Sequence, residues 1–252
     1  MKNLIIERKL TWKPQLPDYR DYVVDLSVAT LPTLVDMRPS CPPVYDQLTL
    51  GSCSGNAIAG NYEFEKMKQK QPYSIPSRLF IYYNERVMEN TVKTDSGAMI
   101  RDGIKSVAKQ GVCPETEWPY NVKKFATKPC KKCYTNALKN EVKQYLSVTQ
   151  TPEQIKGCLA QGYPFVFGFT VYSSFMFNTV AQTGIMPMPQ PNDSVEGGHA
   201  VMCVGYDDSK QWYIIRNSWG ISWGDKGYFY MPYAYMHNAN LCSDFWTIRL
   251  VA

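Results

Sequence analysis

Partway along this chain the hydrophobic pattern changes period, and that change limits its possible folds more than any single residue does. From Ser52 onward, apolar side chains return at three-to-four spacing: Ala57, Ile58, Tyr62 and Met67, then Leu79, Tyr82, Tyr83 and Val87, then Ile100, Ile104, Val107 and Ala108. This predicts helices beginning at Ser52, over 77–88 and over 99–109, the last stopped by Gly111. Gly55 and Gly60 weaken the first helix and point to close packing against a neighbour. Thr151-Pro152-Glu153-Gln154 opens a further helix, with Thr151 as N-cap and Pro152 at the first helical position. Beyond it the apolar residues come in short, dense runs of β-formers at 165–171, 199–206, 212–217, 228–231 and 245–248. The runs at 199–206 and 212–217 flank a polar turn and read as an antiparallel pair. Helices first and strands later predict an α+β fold.

Composition narrows the classes. The chain has 252 residues, 44% of them hydrophobic, enough for one large domain or two modest lobes. Lys and Arg exceed Asp and Glu by 27 to 22, a small and scattered excess that reads as solvated surface rather than a nucleic-acid site. No stretch approaches the ~18 consecutive apolar residues of a membrane span. Residues 1–8 lack the apolar core of a signal peptide, so the expectation is an intracellular or virion-borne monomer rather than a secreted one. Residues 1–35, punctuated by Pro14, Pro17 and Pro32, read as an extended arm ahead of the main domain at 36–252.

Eight cysteines stand at 41, 53, 113, 130, 133, 158, 203 and 242, in no legible disulfide framework. Cys130-Lys131-Lys132-Cys133 is an isolated C-x-x-C. With only two histidines in the chain a four-ligand zinc site is not expected, and the reading is two spare thiols or one local disulfide. Neither metal nor cofactor is expected.

One cysteine has the surroundings of a nucleophile. Attack requires thiolate, which a helix N-terminus or a neighbouring imidazolium favours. Cys53 sits where the first helix begins, after Gly51-Ser52. The base must be His199 or His237. His199 follows Gly197-Gly198 and opens a strand, whereas His237 lies in a polar stretch and reads as a loop residue. Asn217 ends the partner strand, so a hairpin brings it to the same end as His199, where its amide oxygen can fix the ring's tautomer. Trp219 can shield that hydrogen bond from water.

Gln47, Gly51-Ser52-Cys53, Gly198-His199-Ala200 and the run Asn217-Ser218-Trp219-Gly220-Ile221-Ser222-Trp223-Gly224-Asp225-Lys226-Gly227-Tyr228 together resemble the signature blocks of the papain-like cysteine peptidases, in the family's order. Trp118-Pro119-Tyr120 is a further landmark, and the segment around Cys53 looks closer to a microbial and viral branch than to lysosomal cathepsins. The resemblance implies two lobes, a helical one over about 36–147 and a β-rich one over about 148–252, with the active-site cleft between them. It implies Cys53 as nucleophile, His199 as base and then acid, Asn217 as its orienter, and Gln47 with the Cys53 N–H as oxyanion hole. Each such donor typically contributes on the order of 3 kcal/mol to transition-state stabilisation. It also implies substrate contacts at Ser96, Gly97, Gly198 and Trp219, with Gly97 pairing like a strand with the peptide.

The chain departs from the family in two places. Ser54 stands where the family has Trp, and Leu50 where it has Cys, which removes a disulfide. Trp246 and Thr247 align loosely with the pocket for the second acyl-side residue, against ordinary strand packing. No occluding loop with paired His is present, so endopeptidase is expected over exopeptidase. The intact Gln, Cys, His and Asn disfavour a pseudoenzyme, and Asn217 disfavours a transglutaminase-like acyl transferase. For the arm two readings stand: a short inhibitory segment in the cleft, making the chain a zymogen, or a strap packed on the β-rich lobe.

Overall fold

The computed structural model describes residues 7–24, 30–72 and 74–252. The late apolar runs form a mainly antiparallel sheet. Its strands are β1 (Leu34–Asp36), β2 (Val142–Ser147), β3 (Phe165–Tyr172), β4 (Val195–Asp207), β5 (Trp212–Arg216), β6 (Tyr228–Pro232) and β7 (Cys242–Val251). They lie in the order β2-β7-β3-β4-β5-β6, with β1 also on β4. β4 and β5 make the expected hairpin, pairing Tyr206 with Tyr213 and Met202 with Arg216. Strand β2 lies within residues 36–147 yet belongs to this sheet, along β7.

The helices precede and flank it: α1 (Cys53–Lys68), α2 (Arg78–Met88), α3 (Ile100–Gln110), α4 (Lys131–Ala137), α5 (Pro152–Ala160), α6 (Asn178–Thr183) and α7 (Tyr233–Met236). Ser77 caps α2 by accepting from the Phe80 N–H, and Thr151 caps α5 by accepting from the Gln154 N–H. Among the described residues no helix is long and apolar enough to cross a membrane.

Both faces of β3 are covered, which explains why its sequence is apolar without interruption. Phe165, Phe167, Phe169 and Val171 enter one core with Phe229 and Tyr235. Val166 faces a second core with Ala57, Ile58, Leu79, Phe80 and Trp246. α1 lies in this second core and is buried on every side from Cys53 to Lys66. A helix enclosed all round cannot keep a clean apolar stripe, and its polar residues must find partners inside. Asn61 does so by donating to the Pro164 carbonyl and accepting from the Ile248 N–H. Those bonds tie the middle of α1 to β7 and to the residue ahead of β3.

Residues 7–24 run along the outside of this frame. Thr11 forms a parallel bridge to Gly198 at the start of β4, and Val23 forms one to Ser147 at the end of β2. Positions 1–6 and 25–29 of the expected arm lie outside the described residues.

Candidate active site

Cys53 is the first residue of α1 and is wholly buried. The helix head favours a thiolate, and so does the backbone N–H of Ala200. Burial outweighs both and pushes the thiol up to about 11. Cys53 is therefore a neutral thiol in this state.

His199, in β4 next to Ala200, is equally buried. Its Nε2 lies 2.8 Å from Asn217 Oδ1, and the Ser218 N–H donates to that same oxygen at 2.8 Å. An atom accepting the Ser218 amide must be the oxygen, so Nε2 carries a hydrogen and the neutral ring keeps its lone pair on Nδ1. Among the described residues Nδ1 has no hydrogen-bond partner. Trp219 stacks on the imidazole at 4.9 Å, and Phe169 meets it edge-on at 5.8 Å. Burial chiefly, with the nearby Arg8 charge, holds His199 down to about 4.

Gln47 is fixed from every direction. Its backbone N–H donates to the Ser218 carbonyl at 2.8 Å, and its Oε1 accepts from Ser218 Oγ at 2.7 Å. The Tyr120 hydroxyl donates to its carbonyl. Its Nε2 donates to the Leu50 carbonyl at 3.0 Å, and among the described residues that is its one acceptor, leaving the second amide hydrogen uncommitted. Ser54, at the family's Trp position, donates to the buried Glu85 carboxyl at 2.5 Å.

The structure thus gathers Gln47, Cys53, His199, Asn217 and Trp219 at one place, and the arm crosses it. Trp12 N–H donates to the Gly198 carbonyl at 2.9 Å, and Gly198 N–H donates to the Leu10 carbonyl at 3.4 Å. Thr11 Oγ1 donates to the Gly51 carbonyl, two residues before Cys53. The Thr11 carbonyl lies so close over Gly97, at φ 69°, that a Cβ at 97 would overlap it. The Trp12 indole likewise fills the space over Gly168 that a side chain there would need. Arg8 pairs with Asp46 and donates to the carbonyls of Leu48 and Trp219 at 3.1 Å. Lys9 pairs with Asp95 at 2.7 Å, and Asp95 in turn accepts from the Gly51 N–H and the Tyr82 hydroxyl. Farther along, the Gln15 N–H donates to Asp244, and Trp246 Nε1 donates to the Gln15 side chain.

Gly97, Gly198 and Trp219 therefore all touch the arm, while the Ser96 hydroxyl turns to its neighbour's carbonyl at 3.4 Å. Trp246 meets the arm through Gln15, but Thr247 donates to the Pro164 carbonyl and is part of strand packing. His237 ends α7, half-buried, with its Nε2 2.8 Å from the Tyr213 hydroxyl. Sequence reasoning passed over Arg8, Thr11 and Trp12, although a lone Trp beside two cations in a polar arm is the kind of residue that needs a docking surface. It also passed over Ser218, whose three contacts to Gln47 and Asn217 join the two sides of the site.

A family model described as papain family cysteine protease matches residues 31–245. An uncharacterized peptidase C1-like protein of Acanthamoeba polyphaga mimivirus is 40% identical over all of this chain and 90% of its own length. The crystal structure of xylellain, a cysteine protease from Xylella fastidiosa, superposes with a TM-score of 0.92 at 46% identity, covering 96% of each chain. Digestive procathepsin L 3 of Tenebrio molitor, at 18% identity and a TM-score of 0.71 over 92% of this chain and 75% of its own, shares the fold.

Proposed function

This chain belongs to the papain family of cysteine proteases and is a cysteine peptidase; we propose that it is an endopeptidase whose nucleophile is Cys53, held idle by its own residues 1–35. The observation that carries the catalytic reading is the state of His199. Its Nε2 is committed to Asn217, its Nδ1 has no hydrogen-bond partner among the described residues, and the backbone N–H of the adjacent Ala200 favours the Cys53 thiolate.

In this reading the Cys53 proton passes to His199 Nδ1, and the thiolate attacks the scissile carbonyl. The carbonyl oxygen takes hydrogen bonds from the second amide hydrogen of Gln47 and from the Cys53 N–H. Collapse expels the amine, which leaves with the proton from His199, and a thioester remains on Cys53. A water deprotonated by the same nitrogen then hydrolyses the thioester. Asn217 keeps the ring in the one tautomer that serves both steps, and Trp219 keeps water from their hydrogen bond.

The arm occupies the groove where a peptide would lie. It uses both the N–H and the carbonyl of Gly198, as an added strand does, and covers Gly97, the expected second backbone partner. It also acts on the chemistry: burial keeps Cys53 and His199 neutral, and the Arg8 guanidinium further opposes an imidazolium. Removing the arm readmits water and favours the thiolate–imidazolium pair.

The test is hydrolysis of an internally quenched peptide by a chain lacking residues 1–30, alongside Cys53→Ala and His199→Ala in the same background. Cleavage within the peptide, lost in both variants, is the expected result. Absence of cleavage by the shortened, folded chain overturns the peptidase site; equal cleavage by the full chain overturns occlusion.

A further inference from the structure

We propose that Cys130 and Cys133 form a reversible thiol–disulfide exchange site for small anionic disulfides, with Cys130 as the entering thiol and Cys133 as the resolving one. The pair lies away from the catalytic residues, at the start of α4. Cys130 is exposed and Cys133 is buried directly behind it, with the two sulfurs 3.1 Å apart. A disulfide bond is about 2.0 Å long, so closure requires an approach of about 1 Å.

The two thiols differ in the way an entering and a resolving thiol should. Cys130 meets solvent, and the hydrogen bond from Cys133 lowers its proton affinity, which raises the fraction of nucleophilic thiolate. Burial raises the proton affinity of Cys133, and the contact with Cys130 adds to it. Its neighbour Cys113 is wholly buried, and burial together with Cys133 raises it. The neighbouring residues set the charge of the ligand: Lys131 and Lys132 follow Cys130 directly, and Lys123, Lys124 and Lys128 precede it by seven residues or fewer, all of them exposed. A disulfide carrying carboxylates, of the glutathione type, fits such a rim better than a neutral or cationic one.

The exchange balances without a metal or oxygen. Cys130 thiolate attacks one sulfur of RS–SR, giving a Cys130–SR mixed disulfide and one RS⁻. Cys133 then loses its proton and attacks Cys130 Sγ, forming the Cys130–Cys133 bond and expelling the second RS⁻. The protein gives up two thiol hydrogens and two electrons, and the small disulfide becomes two RSH. Excess thiol reverses both steps.

The test equilibrates the full chain in buffers of varied oxidised-to-reduced glutathione ratio, followed by acid quench, alkylation and peptide mass spectrometry. The expected result is a Cys130–Cys133 linked pair that appears and disappears reversibly as a single two-electron couple. Cys133→Ser should instead accumulate glutathione on Cys130, and Cys130→Ser, a change at an exposed position, should abolish both products. Cystamine, a cationic disulfide, should react at least several-fold more slowly than glutathione disulfide at low salt. Cys130 remaining fully alkylatable at every ratio, a Cys113–Cys133 link in place of the proposed one, or faster reaction with cystamine would each overturn the proposal.

Discussion

The guanidinium of Arg8 lies over the Trp219 ring, 5.9 Å from its centre, and the same ring stacks on the imidazole of His199 at 4.9 Å. One arm residue thus stands one side chain away from the proposed catalytic base. Its positive charge opposes protonation of that base, in the same direction as burial. Arg8→Ala should therefore raise the His199 titration point from about 4 toward the ordinary value near 6.5. The chain has only two histidines, so NMR titration of the ring protons separates His199 from His237 by a single assignment. An unchanged His199 would mean that burial and the Asn217 hydrogen bond set its proton affinity without Arg8.

The Trp12 indole is the largest apolar group that the arm buries near the site, packed over Gly168 and Gly198. Truncating a buried Trp typically costs about 3–5 kcal/mol. If only ~1.4 kcal/mol of that falls on docking, the open fraction rises about tenfold. Trp12→Ala in the full chain should accordingly raise peptide cleavage at least about tenfold toward that of the arm-deleted chain. Unchanged cleavage, with the fold intact by circular dichroism, would remove Trp12 from the occluding contact.

Asp244 accepts the Gln15 N–H, and burial raises it to about 6. A carboxyl whose folded pKa exceeds its unfolded one stabilises fully below the unfolded value and loses that contribution as pH rises through the folded value. Asp244→Asn keeps the acceptor oxygen and removes the charge. The unfolding free energy of the variant, from urea denaturation, should thus gain on that of the unsubstituted chain as pH rises from 4 to 7, by on the order of 2 kcal/mol. His199, common to both proteins, contributes with the opposite sign and cancels in the difference. A difference independent of pH would contradict this.

Gln47 and Asn217 act at different points of the proposed mechanism. In the arm-deleted chain, Gln47→Ala should lower kcat about 10²-fold or more with little change in KM, because the bond it loses forms only in the transition state. Asn217→Ala should lower kcat and also shift the pH profile, because it frees the imidazole tautomer. Equal pH profiles for the two variants would argue against an orienting role for Asn217.

Much of this was legible in the sequence because local rules and global packing agree. Gly111, at φ 72°, ends α3 where a left-handed residue was needed, and Thr151 caps α5 through its own hydroxyl. The hairpin of 199–206 with 212–217 was readable from its turn, and it carries Asn217 to His199. The path of the arm was not readable. Residues 7–24 have no period of their own, and their position depends on distant partners: Asp46, Asp95, Gly168, Gly198 and Asp244. Glycines 97 and 168 do not reveal by sequence which chain they admit. The Ser54–Glu85 bond that replaces the family's Trp was hidden for the same reason, since Glu85 comes from another helix.

The nucleophile and its occlusion are both read by the rate at which an epoxysuccinyl peptide modifies Cys53, followed by mass spectrometry in the full chain and in one lacking residues 1–30. A single label is expected, on Cys53, acquired many-fold faster once the arm is gone, and absent in both chains after His199→Ala. Labelling at another cysteine, or Cys53 inert with the arm removed, would contradict the assignment of the nucleophile; equal rates in the two chains would contradict the role of the arm.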